Sequence, residues 1–209
     1  FEYEIEAELL HAFRAAGSQA PAYTSIVAAG ANACVLHYVE NDQPLRDGDL
    51  LLIDAGCELD GYASDITRTF PVNGRFTREQ RALHDLVCAA QAAALAQANP
   101  GTPYEAGHDA AVETLTDGLL SLGLLKGKLK TAIASGDYKR FYRHKTGHWL
   151  GLDVHDVGDY RLAGDSRMLE PGMVFTIEPG LYISADDRSV EARWRGIGIR
   201  TEDDVVITD

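Results

Sequence analysis

Two segments of this chain repeat one another, and each carries an acid where an apolar strand would end. Gly48-Asp-Leu-Leu-Leu-Ile-Asp54-Ala-Gly56 and Gly172-Met-Val-Phe-Thr-Ile-Glu178-Pro-Gly180 both run from a turn glycine through an apolar stretch to a carboxylate six residues on. Each is followed by a return stretch with a second acid, Asp65 in SDITRTF and Glu202 in GIRTEDD. A repeat of this kind predicts two similar halves with four carboxylates gathered about one pseudo-twofold axis. Strand cores rarely hold carboxylates without a compensating charge, because burying an unpaired one costs several kcal/mol or more. Two divalent cations would balance the four acids.

With Glu58 to Gly61 as a hairpin loop, Asp54 falls directly opposite Asp65, where like charges about 5 Å apart repel unless a metal lies between them. The apolar run Leu50 to Ile53 marks that strand as buried rather than solvated. Glu178 stands at a strand end, before Pro179-Gly180. Glu202 is followed by Asp203 and Asp204, and taken alone it reads as readily as part of a solvated acidic turn. His144, His148 and His155 fall within twelve residues, among Gly147, Trp149 and Gly151. His37 lies near the end of an expected strand, where a half-buried histidine is as good a reading as a functional one. His11, His84 and His108 lie in helical stretches and are read as structural or exposed, His108 having no evident partner.

Four oxygen donors with one imidazole suit Mn²⁺, Fe²⁺, Co²⁺ or Zn²⁺ in five- or six-coordinate geometry better than a closed structural zinc site. Two such ions would acidify a shared water and polarise a carbonyl or phosphoryl oxygen, which is hydrolytic chemistry. No GxSxG elbow, Gly-rich phosphate loop or recognisable cysteine surround offers a nucleophilic alternative.

The chain has 209 residues, enough for one large α/β-type domain over residues 1–209. Its net charge of -13 argues against nucleic acid as a partner. No apolar run approaches the ~20 residues of a spanning helix, so no membrane partner is expected. Three widely spaced cysteines without a CxxC fit a reducing cytoplasm. The first residue is not Met, and the chain is expected to be a piece of a longer protein. Helical spacing through Ile5, Leu9, Leu10 and Phe13 predicts a helix over about residues 2 to 16. Residues 23–40 read as two short strands around Gly30-Ala31-Asn32, and 41–48 as a polar turn region. Thr77, answered by Gln80, opens a helix to about Gln97, and Thr102-Pro103-Tyr104-Glu105 is read as a second capping box opening a helix to Gly123. Residues 124–140 read as a short helix or loop.

The stretches IDAGCELDGYASDITRTFPVNGRFTREQ, GHWLGLDVHDVG, LEPGMVFTIEPGLY and GIGIRTEDDVVIT resemble the catalytic domain of the Xaa-Pro aminopeptidase (aminopeptidase P) branch of the pita-bread metallopeptidases. The resemblance covers almost the whole chain. It implies an α+β pita-bread fold: a curved, mainly antiparallel sheet in two pseudo-twofold halves, helices on the outer face and metals within the concave face. It also implies two divalent ions, usually manganese, with Asp54 chelating one, His148 and Glu178 holding the other, and Asp65 and Glu202 bridging. A bridging hydroxide would attack the scissile carbonyl. Glu178 would handle the nucleophile's proton, while His37 and His155 would hydrogen-bond the substrate and its oxyanion. His144, Arg200 and Tyr182 align with substrate-pocket and neighbouring positions. The implied partners are peptides with proline in the second position. Full-length bacterial relatives carry a separate N-terminal domain, absent here, which contributes to substrate access and homo-oligomer contacts. Prolidase, acting on Xaa-Pro dipeptides, is the nearest alternative activity. Methionine aminopeptidase fits less well, because HWLGLDVHD resembles the proline-specific branch. A non-catalytic binding module is the alternative from another class, though such relatives tend to lose metal ligands and all five positions are filled here.

Overall fold

The computed structural model describes residues 1–209. Helix α1 (Glu2–Ala15) lays Ile5 and Leu9 against Val27, Ala29 and Leu51. Strand β1 (Ala20–Pro21) and β2 (Ile26–Ala29) lead into β3 (Leu50–Ala55), β4 (Cys57–Leu59), β5 (Tyr62–Ala63) and β6 (Ile66–Pro71). Helices α2 (Arg78–Leu95), α3 (Glu105–Ser121) and α4 (Leu129–Ser135) follow. The chain then returns to strands: β7 (Arg161–Leu162), β8 (Asp165–Ser166), β9 (Val174–Ile177), β10 (Gly180–Ile183), β11 (Ile197–Arg200) and β12 (Asp203–Val206). Leu83, Val87, Ala90 and Ala94 of α2 recur at helical spacing, as do Ala111, Leu115 and Leu119 of α3, and both stripes are buried. They share one core with Phe175, Ile177, Leu181, Ile183, Ile197 and Ile199 of the second set of strands.

All strand pairings are antiparallel, in the orders β2-β3-β6, β1-β4-β5, β7-β8, β12-β9 and β10-β11. The repeat is visible in the pairing: β3 is joined to β6, β9 to β12, and Gly48 and Gly172 both adopt positive φ, at 87° and 89°. The two halves are stitched together where Thr67 bridges Glu202 and where the Thr69 hydroxyl donates to the Arg200 carbonyl at 2.9 Å.

The register across β3 and β6 differs from the sequence-based expectation by two residues. Asp54 faces Thr67 and Ala55 faces Ile66, so Asp65 is diagonal to Asp54 on the same face rather than opposite it. The turn explains the shift. Leu59 pairs with Tyr62, so the loop is only Asp60-Gly61, both at positive φ (53° and 85°), as a two-residue hairpin turn demands.

Two further expectations are corrected. Residues 23–40 hold one strand, β2, followed by a 3₁₀ turn over Gly30–Cys34. The second apolar run does not pair, because Val35 and His37 face solvent and the backbone turns at Leu36 and His37. Helix α3 is capped at Tyr104, not Thr102, since Pro103 bridges Met168 and the Thr102 carbonyl accepts from Leu169 N. Thr77 does cap α2 in a complete box with Gln80, α1 ends near the expected residue 16, and residues 124–140 include the short α4.

A methyl group at Gly56 would sit 1.6 Å from the Ser64 carbonyl oxygen and 3.1 Å from the Tyr23 ring, so Gly56→Ala must push the Asp54 strand away from the segment that carries Asp65. The expected cost is about 1–3 kcal/mol, read as a lower denaturant midpoint accompanied by weaker metal retention. An unchanged midpoint would show that the strands separate freely.

Candidate metal centre

The turn after β3 and the register of β6 bring Asp54 and Asp65 to one place, where the Tyr23 hydroxyl lies 2.5 Å from a carboxylate oxygen of each. Ligand atoms of Asp65, His148 and Glu202 lie within 4.8 Å of one another. Glu178, one step beyond β9, sets its Oε1 3.8 Å from His148 Nε2, and its backbone N–H donates to the Thr146 carbonyl at 2.7 Å. Asp54 and Glu178 therefore flank the tighter trio of Asp65, His148 and Glu202. His37 and His155 are exposed side chains of the same cavity, which encloses about 700 Å³. The His155 ring stands at 82° to that of His148, with centroids 4.3 Å apart.

Arg200, at the end of β11, is 4% exposed and serves three partners. Its Nη2 donates to Asp54 Oδ2 at 2.5 Å, its Nη1 to the Tyr182 hydroxyl at 2.9 Å and its Nε to the Thr67 hydroxyl at 3.2 Å. Thr67 passes a hydrogen bond on to Glu202 Oε2 at 2.6 Å. His144 completes the chain: its Nδ1 faces the Lys145 carbonyl, which can only accept, so the Nε2 lone pair takes the Tyr182 hydroxyl at 2.8 Å. Burial, then Arg200, lowers the His144 pKa to about 3, which keeps this imidazole neutral.

Burial drives the titration of the acids. It raises Glu202 well above the usual carboxylate range, with Glu178, Asp65 and Asp54 adding repulsion, and it raises Glu178 to about 7 against the pull of Arg200 and His148. Asp54 is also raised by burial despite its arginine. Asp65 alone is held low, because hydrogen bonds from His148 and Tyr23 outweigh its burial.

The match to known proteins extends from end to end. The model of metallopeptidase family M24 covers residues 1–209. The chain belongs to metallopeptidase family M24. It is 53% identical over 209 residues to the Xaa-Pro aminopeptidase of Haemophilus influenzae, covering 100% of this chain and 48% of that protein. Among solved structures, an aminopeptidase from Pseudomonas aeruginosa superposes with a TM-score of 0.99 at 59% identity, over 100% of this chain and 47% of the other. A zinc-substituted Escherichia coli aminopeptidase P in complex with product superposes with a TM-score of 0.96 at 52% identity, over 100% and 47%. The chain thus spans about half the length of the proteins it matches. Its fold is the curved, mainly antiparallel pita-bread sheet of two related halves, with helices on the outer face.

The M24 family implies a metal, and the residues present fit one. Four carboxylates meet one guanidinium in a largely buried setting, a surplus of negative charge that cations relieve. The His148 Nδ1 faces its neighbour's carbonyl, that of Trp149, at 3.0 Å and must carry the proton. Its Nε2 lies 3.4 Å from Asp65 Oδ2: a second proton there donates to that carboxylate in the metal-free protein, and its loss frees a lone pair for a cation held between the two. One phenolic proton of Tyr23 likewise faces two carboxylates.

Tyr23, Thr67 and Thr146 are the supporting residues that sequence reasoning missed. Thr67 shares strand parity with Asp65 and was open to detection once the turn was placed. Tyr23 and Thr146 carry no local signal. Thr146 is also the partner that His108 lacked in the sequence: its hydroxyl lies 2.8 Å from His108 Nδ1 and 2.6 Å from the Tyr142 hydroxyl.

Removing the Tyr23 hydroxyl leaves Asp54 and Asp65 without their shared donor. Tyr23→Phe is expected to weaken divalent-metal affinity about tenfold, measured by competition with a chromophoric chelator; an unchanged affinity would contradict the support it gives both acids.

His108 is lowered to about 4 by burial and then by Lys145, against 6.5 for a free imidazole. The unfolded chain takes up this proton more readily than the folded one, so the contribution of His108 to stability is complete above pH 6.5 and is lost as pH falls toward 4. In metal-free protein, the fall of the urea midpoint between pH 7 and pH 4 should be shallower in His108→Asn than in the parent; parallel curves would exclude this assignment.

Proposed function

We propose that residues 1–209 form the catalytic domain of a metal-dependent aminopeptidase that hydrolyses the bond between an N-terminal residue and proline. The observation that carries this reading is the convergence of Asp54, Asp65, His148, Glu178 and Glu202 on one cavity in a chain of the M24 family. The Xaa-Pro aminopeptidases to which the chain is 52% and 53% identical support the proline specificity.

Those five residues would hold two divalent cations, manganese first among the candidates, with Asp65 and Glu202 between them. The bound ions would supply an acidified bridging water and polarise the scissile carbonyl. The remaining chemistry falls to side chains. Glu178 lines the cavity as the carboxylate that would pass a proton to the prolyl nitrogen, which needs one to leave as an amine. His37 and His155 stand at the exposed side of the cavity, where their N–H groups can meet the carbonyl oxygen as it gains charge. His144 and Tyr182 link substrate-side space to Arg200, which in turn holds Asp54. No helix is long and apolar enough to cross a membrane. The three unpaired cysteines would suit a reducing cytoplasm.

The reading is tested by stripping the protein with chelator, restoring Mn²⁺ and following an Xaa-Pro-Xaa tripeptide, an Xaa-Pro dipeptide and a Met-Ala-Xaa tripeptide in parallel. Metal-restored cleavage before proline in the first peptide alone is expected. Cleavage of the dipeptide alone would move the activity to a prolidase, and metal-loaded protein that cleaves none would overturn the reading.

A further inference from the structure

Glu2 is the only fully buried residue of α1, an acid on a helix whose apolar side chains are half-buried or exposed. Its charge is met by hydrogen-bond donors rather than by a cation. Oε1 accepts from Ala29 N at 2.7 Å and Asn32 Nδ2 at 3.0 Å; Oε2 accepts from the Tyr38 hydroxyl at 2.8 Å and Gln43 N at 2.9 Å. The Glu2 amide returns a bond to the Gln43 carbonyl, also at 2.9 Å. Four donors on one buried carboxylate make a strong, directional anchor, since charge-assisted hydrogen bonds are about twice as strong as neutral ones.

All four donors belong to one stretch, residues 29–43, and His37 lies in the middle of it. After β2 this stretch has no strand pairing to set its path. Its first part is held from behind, where the Ala33 carbonyl lies against Gly198, and its last part by Asn41, whose side chain accepts from Val27 N and donates to the Ser25 carbonyl. Between them, Val35, His37 and Val39 are exposed, Cys34 and Leu36 are half-buried with Cys34 Sγ on the Ile183 carbonyl at 3.3 Å, and Tyr38 is the one fully buried residue, its hydroxyl on Glu2. The imidazole of His37 thus projects to the cavity from a backbone whose neighbouring residue is pinned by Glu2.

We propose that Glu2 is the positioning residue for His37, its carboxylate fixing the 29–43 stretch so that the imidazole faces the substrate cavity. This rests on the role given to His37 in the proposed aminopeptidase. A glutamine at position 2 has one acceptor oxygen and presents N–H groups to donors, so at least one of the four contacts becomes donor against donor. Tyr38→Phe removes a single contact and leaves the carboxylate in place.

The test is a double-mutant cycle in the full-length, metal-loaded enzyme, comparing Glu2→Gln, His37→Ala and the pair on an Xaa-Pro-Xaa tripeptide. Glu2→Gln is expected to lower kcat/KM about tenfold with metal content unchanged, yet to add less than about twofold once His37 is gone. Equal losses in both backgrounds, or loss of metal in Glu2→Gln, would reduce Glu2 to general support and overturn the proposal. Should Glu2→Gln not fold, Tyr38→Phe runs the same cycle. The second readout does not depend on turnover: the His37 ring resonances in histidine-labelled protein should shift in Glu2→Gln and Tyr38→Phe while those of His84 stay put. Unmoved His37 resonances overturn the proposal even in an active enzyme. Moved resonances in a protein that cleaves no prolyl peptide leave the anchor standing and sink the peptidase reading instead. A His37→Ala enzyme with full activity would remove the role that Glu2 is said to serve.

Discussion

The centre depends on one guanidinium. Arg200 is the only permanent cation buried among four acids, and its three nitrogens reach Asp54, Thr67 and Tyr182 on three separate strands. Through Thr67 it also orients Glu202, and through Tyr182 it orients His144. A lysine could not do this, since an ammonium is a compact point charge and lacks a rigid fork of donors. Because Thr67 and Asp54 lie in the first half of the sheet and Tyr182 in the second, the same side chain that offsets part of the charge also couples the halves. What it leaves unbalanced is the charge that suits metal.

Much of this was legible in the sequence, and for a definable reason. The repeat of glycine, apolar run and carboxylate records a backbone need at Gly48 and Gly172 and sets an acid on the cavity at Asp54 and Glu178. The same holds for Thr77, whose capping box is complete within three residues. The register of the first hairpin was harder, because a four-residue loop over Glu58 to Gly61 was expected and only the Asp60-Gly61 pair marks the shorter one. Reading that pair as a two-residue turn gives Thr67 as the partner of Asp54 and shows Asp65 to be diagonal. The diagonal keeps both acids on one face while avoiding the closest like-charge approach.

The supports of the site were illegible because their partners are distant in sequence. Tyr23 reaches Asp65 across 42 residues, Glu2 reaches Tyr38 across 36 and His108 reaches Thr146 across 38. No periodicity or local motif encodes such contacts; they exist only once the sheet has folded. Thr102 failed as a cap for a related reason, since a local box of good composition lost to a tertiary bridge at Pro103.

The division of labour between repeat and non-repeat follows from symmetry. Two similar strand pairs can supply acids in matching places, but duplicated acids repel, and a duplicated structure gives no means of making them unequal. The groups that make them unequal come from outside the repeated segments: Tyr23 and His148 lower Asp65, while burial and the neighbouring acids raise Glu202. Four carboxylates that would otherwise titrate as one repelling cluster are therefore graded, from the hydrogen-bonded Asp65 to the raised Glu178 and Glu202. In the metal-free protein one carboxylate thus stays ionised while another can hold a proton, a grading set by their neighbours rather than by the repeat. The repeat makes the metal-binding surplus, and the unrepeated residues between and before its halves turn that surplus into distinct roles.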